Sequence, residues 1–150
     1  GSTPKATTGT LYGAPITING TSMVRAGAFR TGYLPSPAQT RTYIRLADVV
    51  TQSLNGAKPG AGWPDPYGPY GDFHDPQDMD YGMDPAVLGD PRYAGLIDDA
   101  LLAVPTMSLV TDLPNLFDPT TGIYVHAKGR GDAWERPASL ELIRPDGGAG

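Results

Sequence analysis

Residues 11–46, LYGAPITINGTSMVRAGAFRTGYLPSPAQTRTYIRL, decide the fold class. Pro15 to Ile18 is a short β-branched run, and the Asn19-Gly20 pair behind it suits the positive φ angles of a type I′ hairpin turn. From Thr21 to Phe29 the pattern has period two: Val24, Ala26 and Ala28 fall on one face, Met23, Arg25 and Phe29 on the other. Gly32 to Pro37 is a loop closed by two prolines. From Gln39 to Leu46 the alternation resumes, with Thr40, Thr42, Ile44 and Leu46 opposite Arg41, Tyr43 and Arg45. Short strands at regular spacing predict one half of a β-sandwich.

Composition points the same way. The 150 residues hold 20 Gly and 16 Pro, and 39% are hydrophobic, which favours turns over long helices. Asp outnumbers Glu 14 to 2, and Asp prefers turns and caps because its short side chain bonds nearby backbone. The net charge of −5 comes without a basic stripe, so nucleic acid is not an expected partner. No apolar run approaches the roughly 20 residues that cross a bilayer. The absence of cysteine excludes disulfides, thiolate catalysis and Cys-ligated zinc.

Between Gly56 and Pro91 the composition changes: seven Pro and seven Gly fall among 36 residues, which rules out a long helix or central strand. Trp63, Tyr67, Tyr70, Phe73 and Tyr81 are interspersed there. Aromatics are scarce in disordered linkers, so the stretch is read as an ordered connector packed against a domain. Ala47 to Leu54 fits one or two helical turns.

Beyond the connector, Asp90-Pro91 has the chemistry of a helix start, with Tyr93, Leu96, Ile97, Ala100 and Leu101 at helical spacing. Thr106 to Val110 reads as a strand, Asp112 to Phe117 as a helical turn, Asp118 to Gly122 as a turn and Ile123 to Val125 as a short strand. Arg136 to Ile143 is the last strand, with Ala138, Leu140 and Leu142 on one face. Glu135, Ser139 and Glu141 share the other, which is expected to face solvent.

Candidate chemistry is sparse. Asp78-x-Asp80-x-Gly82-x-Asp84 has the alternate spacing of a calcium loop, but it lacks the third acidic ligand and the distal Glu. Turn carboxylates are the plainer reading, so calcium is the one cofactor to test on Asp78, Asp80 and Asp84. His74 and His126 lie 52 positions apart, and their spacing asks for no metal. Trp63, Tyr67 and Tyr70 could stack on sugar rings, although core or interface packing is the plainer reading. The sequence holds no G-x-S-x-G elbow, no G-K-[ST] and no H-R-D. Lys128 to Gly131 is a weak phosphate candidate, and Arg130-Gly131-Asp132 reads as a tight loop before Trp134. No catalytic residue is assigned.

Two stretches resemble known families. Gly-Ser-Thr-Pro at 1–4, then residues 11–36 and "TRTYIRL", resemble the chitobiase/β-hexosaminidase C-terminal-like module, an immunoglobulin-like sandwich. By that resemblance the chain starts within the module's first turn, one strand short. "YGMDP" at 81–85 and residues 104–147, with "RGDAWERPASLEL", resemble the opening of CotH-type spore-coat kinases. The resemblance implies a mainly β fold with short helices. By the same resemblance residues 1–46 are expected to form a partial immunoglobulin-like β-sandwich, 47–84 the Pro/Gly-rich connector, and 85–150 the first α/β elements of a kinase-like domain. It implies a secreted or cell-surface bacterial protein whose ATP and Mg sites lie in the rest of the full-length parent. The partners are then the remaining domains of the same polypeptide and a surface glycan or protein. Trp134, Glu135, Arg136 and Pro137 are expected to organise the second domain's first sheet.

Overall fold

The computed structural model describes residues 2–53, 56–65 and 79–145. They form small antiparallel β-sheets joined by short helices. β1 (Ser22–Ala26) pairs with β2 (Gln39–Tyr43) in the register Ser22↔Tyr43 to Ala26↔Gln39. β3 (Thr106–Val110) pairs with β4 (Ser139–Ile143), Thr106 opposite Ile143 and Val110 opposite Ser139. The helices are α1 (Leu46–Thr51), α2 (Pro85–Leu88), α3 (Ile97–Ala103) and α4 (Leu113–Phe117), with a 3-10 turn at Asp132–Trp134.

The turn expected at Asn19-Gly20 does not form, and Pro15 to Ile18 is not a strand. Gly20 does not adopt the positive φ that a type I′ turn requires. Asp48 of α1 instead accepts the Thr21 N–H at 2.6 Å, and Thr21 Oγ1 accepts the Arg45 N–H at 3.0 Å. These bonds fix the start of β1 against α1, and β1 takes β2 as its partner across the 27–38 loop. Ser36 closes that loop, its Oγ accepting the Ala28 N–H at 2.9 Å.

The expected helix start at Asp90-Pro91 is displaced in both directions. Asp84 caps α2 by accepting the Ala86 N–H at 2.8 Å, with Pro85 at the first helical position. Asp90 accepts from the backbone and guanidinium of Arg92, which makes a turn, and α3 begins only at Ile97. Ile123 to Val125 is also a run of turns rather than a strand: Ile123 N–H bonds Asn115 O and Tyr124 N–H bonds Leu116 O, so both donors go back to α4.

The sheets are layered against expectation. Residues opposite each other in an antiparallel pair share a face. Ser108, Glu141, Val110 and Ser139 therefore share one side of β3–β4, while Met107, Leu142, Leu109 and Leu140 share the other. The side bearing Glu141 and Ser139, expected in solvent, is the packed one: Glu141 and Val110 are buried. It meets β2, the pair of elements from the two sheets in closest contact. Small hydroxyl side chains allow that approach, and two of them touch directly: Thr40 Oγ1 to Ser139 Oγ at 2.8 Å and Thr42 Oγ1 to Ser108 Oγ at 2.6 Å.

Candidate functional site: a polar joint between the sheets

The most organised chemistry in the described residues is the contact between the two sheets. Glu141 lies at its centre. Its Oε1 accepts from Arg41 at 2.9 Å and its Oε2 accepts the backbone N–H of Thr42 at 2.8 Å. The Arg41 hydrogen bond, then the Thr42 N–H, hold the Glu141 carboxyl below the usual range against the opposing effect of burial. The second anchor is Asp112, in the turn between β3 and α4. Arg25 of β1 donates to Oδ1 at 2.8 Å, and the Thr3 hydroxyl lies 3.2 and 3.1 Å from the two oxygens. Burial pushes Asp112 up, but hydrogen bonds from Arg25 and Thr3 and the Arg25 charge outweigh it and lower its pKa. Both groups are charge-assisted acceptors, the stronger class of hydrogen bond. Four protein donors from the first 42 residues thus converge on two carboxylates beyond residue 111.

A second ordered cluster lies in the loop from Asp118 to Arg136. Asp118 accepts the N–H groups of Thr120 and Thr121 and the Thr121 hydroxyl, which lower its pKa in that order. Arg136 donates to the carbonyls of Ala133, Glu135 and Thr121. The Trp134 indole packs tilted against His126 at 5.1 Å between centroids, and the Arg136 guanidinium lies 5.9 Å above the indole. Pro137 O accepts from Thr111 Oγ1 at 2.7 Å, and Asn115 donates to that same hydroxyl. Trp134, Arg136 and Pro137 are thereby tied to the turn leading into β4. Glu135 is exposed and contributes its carbonyl.

The other sequence candidates fall as follows. Trp63 packs edge-on to Tyr81 at 5.7 Å and tilted on Phe117 at 5.6 Å, and Phe117 continues to Tyr124. Tyr81 Oη donates to Pro64 O, and Tyr124 Oη to Met79 Sδ. The described ends of the connector thus pack onto α4. Tyr67 and Tyr70 lie outside the described residues, as do His74 and Asp78. Asp80 accepts the Gly82 N–H and Asp84 caps α2, so each serves its own turn. Among the described residues no three His, Asp or Glu side chains are grouped to hold a metal. His126 Nε2 lies 2.8 Å from Pro119 O, which makes it the nitrogen carrying hydrogen. Among the described residues no helix is long and apolar enough to cross a membrane.

Sequence reasoning missed Glu141, Asp112 and Arg25. One signal was available: Glu141 is one of only two glutamates, and it stands in a strand whose other face is apolar. What pairs with it lies 100 positions away, beyond the reach of any periodicity.

In comparison with known proteins, a family model described as Fn3 associated matches residues 1–43. No curated protein and no solved structure matches the chain.

Proposed function

We propose that this chain is a non-catalytic structural and accessory segment of a secreted or surface-attached bacterial protein of the CotH type. In this reading a partial immunoglobulin-like module is fixed against the first elements of a kinase-like domain, and the nucleotide and Mg chemistry belongs to the parent's remaining domains. The observation that carries the structural part is the joint at Glu141 and Asp112, which binds the Fn3-associated segment to β3–β4. Both carboxylates are engaged by donors from the first 42 residues, which supports a structural role for them. The extracellular CotH assignment rests on the "RGDAWERPASLEL" resemblance. Titration calorimetry with Mg-ATP tests the non-catalytic assignment: no binding heat is expected, and saturable binding would move the active site into this chain. Retention on chitin-like polymers, lost on Trp63→Ala, would replace this function with carbohydrate binding.

A further inference from the structure

The Asn19-Gly20 pair forms no hairpin turn, and its own chemistry stays available. Asn19 is exposed, and among the described residues its side-chain amide has no hydrogen-bond partner. Its carbonyl accepts from Arg45 at 3.3 Å, so the backbone is tethered and the side chain is not. Among the described residues nothing accepts the Gly20 N–H either, whereas the next N–H, that of Thr21, is held by Asp48 at 2.6 Å. Gly20 has no Cβ to obstruct an approaching side chain. The other two asparagines are Asn55, also followed by Gly, and Asn115. The Gly56 N–H donates to Ser53 O at 2.7 Å, in a turn where Gly56 has φ 69°. Asn115 is followed by Leu116 within α4, and its amide donates to Thr111 Oγ1 at 2.7 Å.

We propose that Asn19 is a site of spontaneous deamidation, and that the fold directs the reaction to it rather than to Asn55. The Gly20 nitrogen attacks Asn19 Cγ. An N–Cγ bond forms as Cγ–Nδ2 breaks, and Nδ2 leaves as ammonia, taking up the proton that the Gly20 nitrogen gives up. Water then opens the five-membered imide: addition at Cγ gives Asp, and addition at the backbone carbonyl gives isoaspartate. A free N–H ionises and turns onto Cγ without first breaking a bond, whereas the Gly56 N–H must leave Ser53 O. One hydrogen bond of ordinary net strength corresponds to about a fivefold difference in rate. Either product adds one negative charge in the segment that Arg45 and Asp48 hold, and isoaspartate adds one carbon to the backbone ahead of β1.

Ageing the unaltered chain at mildly alkaline pH, followed by mass spectrometry of its tryptic peptides, tests this. Cleavage at Arg25 puts the two Asn-Gly pairs on separate peptides. In native buffer Asn19 is expected to convert about fivefold faster than Asn55, and Asn115 more slowly than either. In concentrated urea, where both glycine nitrogens are free, the rates at Asn19 and Asn55 should converge. Enzymatic methylation of isoaspartate is expected to label the peptide that holds residue 19. Asn19→Gln, whose longer side chain closes the ring poorly, should remove that label. Conversion of Asn55 as fast as or faster than Asn19 in native buffer overturns the proposal. So does an Asn19 that stays unconverted, or a preference for Asn19 that persists unchanged in urea, since neighbouring residues rather than the fold would then set it.

Discussion

Glu141 and Gly129 show how much rests on single residues. Glu141 accepts from a side chain and from a backbone N–H on a strand outside its own sheet. Removing the carboxylate leaves the Thr42 N–H without this acceptor, which costs more than the bond's net worth. Gly129 is constrained differently: a Cβ there would collide with the Trp134 indole that His126 and Arg136 flank. Gly129→Ala is expected to lower stability by about 1–3 kcal/mol, as overpacking does, in urea titrations. Trp134→Ala in the same background should remove most of that penalty, because the two changes relieve one contact.

Among the elements, α2 and the β3–β4 pair make the sharpest tests. Asp84→Ala should cost about 1 kcal/mol by loss of the α2 cap, measured by denaturation. Asp90→Ala, which leaves only a turn, should cost less. In β3, Val110→Ala should cost about 1–3 kcal/mol, since Val110 is buried. Leu109→Thr, one residue earlier on the exposed face, should stay within about 0.5 kcal/mol in dilute solution. β1, β2 and β4 fall within runs whose alternation was legible in the sequence, and β3, α1 and α4 within stretches read as a strand and as helical turns, because period two and turn chemistry are local properties. Which face of β4 is packed was not legible. Ser139 and Glu141 have the composition of a solvent face, and only Arg41, Thr40 and Thr42, far away in the chain, convert it into a contact. The Asn19-Gly20 hairpin failed for the same kind of reason: Asp48 offered the Thr21 N–H a better partner than a turn. Of the sequence's candidate sites, the Trp134 to Pro137 motif lies in an ordered cluster, whereas Asp80 and Asp84 act locally.

At the scale of the molecule, the described residues hold little buried apolar material, with Val110 the buried hydrophobic residue among them. Cohesion between the two sheets therefore depends on the carboxylates, and that makes stability depend on pH. Glu141, Asp112 and Asp118 all have folded-state pKa values below their usual ones. The unfolded chain then binds more protons in the acid range, so stability rises with pH there. Their contribution is present in full above the unfolded pKa values near 4 and is lost as pH falls through the lower folded values. Thermal unfolding midpoints are expected to be level from about pH 7 to 5 and to drop below about pH 4. The drop should be shallower in a Glu141→Gln, Asp112→Asn variant, which is less stable at neutral pH but lacks both titrating groups.

The joint itself is tested most directly by amide hydrogen exchange at Thr42. Its N–H is held by the Glu141 carboxylate across the sheets. It is expected to exchange as slowly as the strand-paired amides of β1 and β2, and to lose that protection in Glu141→Ala while those amides keep theirs. A Thr42 amide that exchanges freely in the unaltered chain at neutral pH would mean that the two sheets are not joined through Glu141.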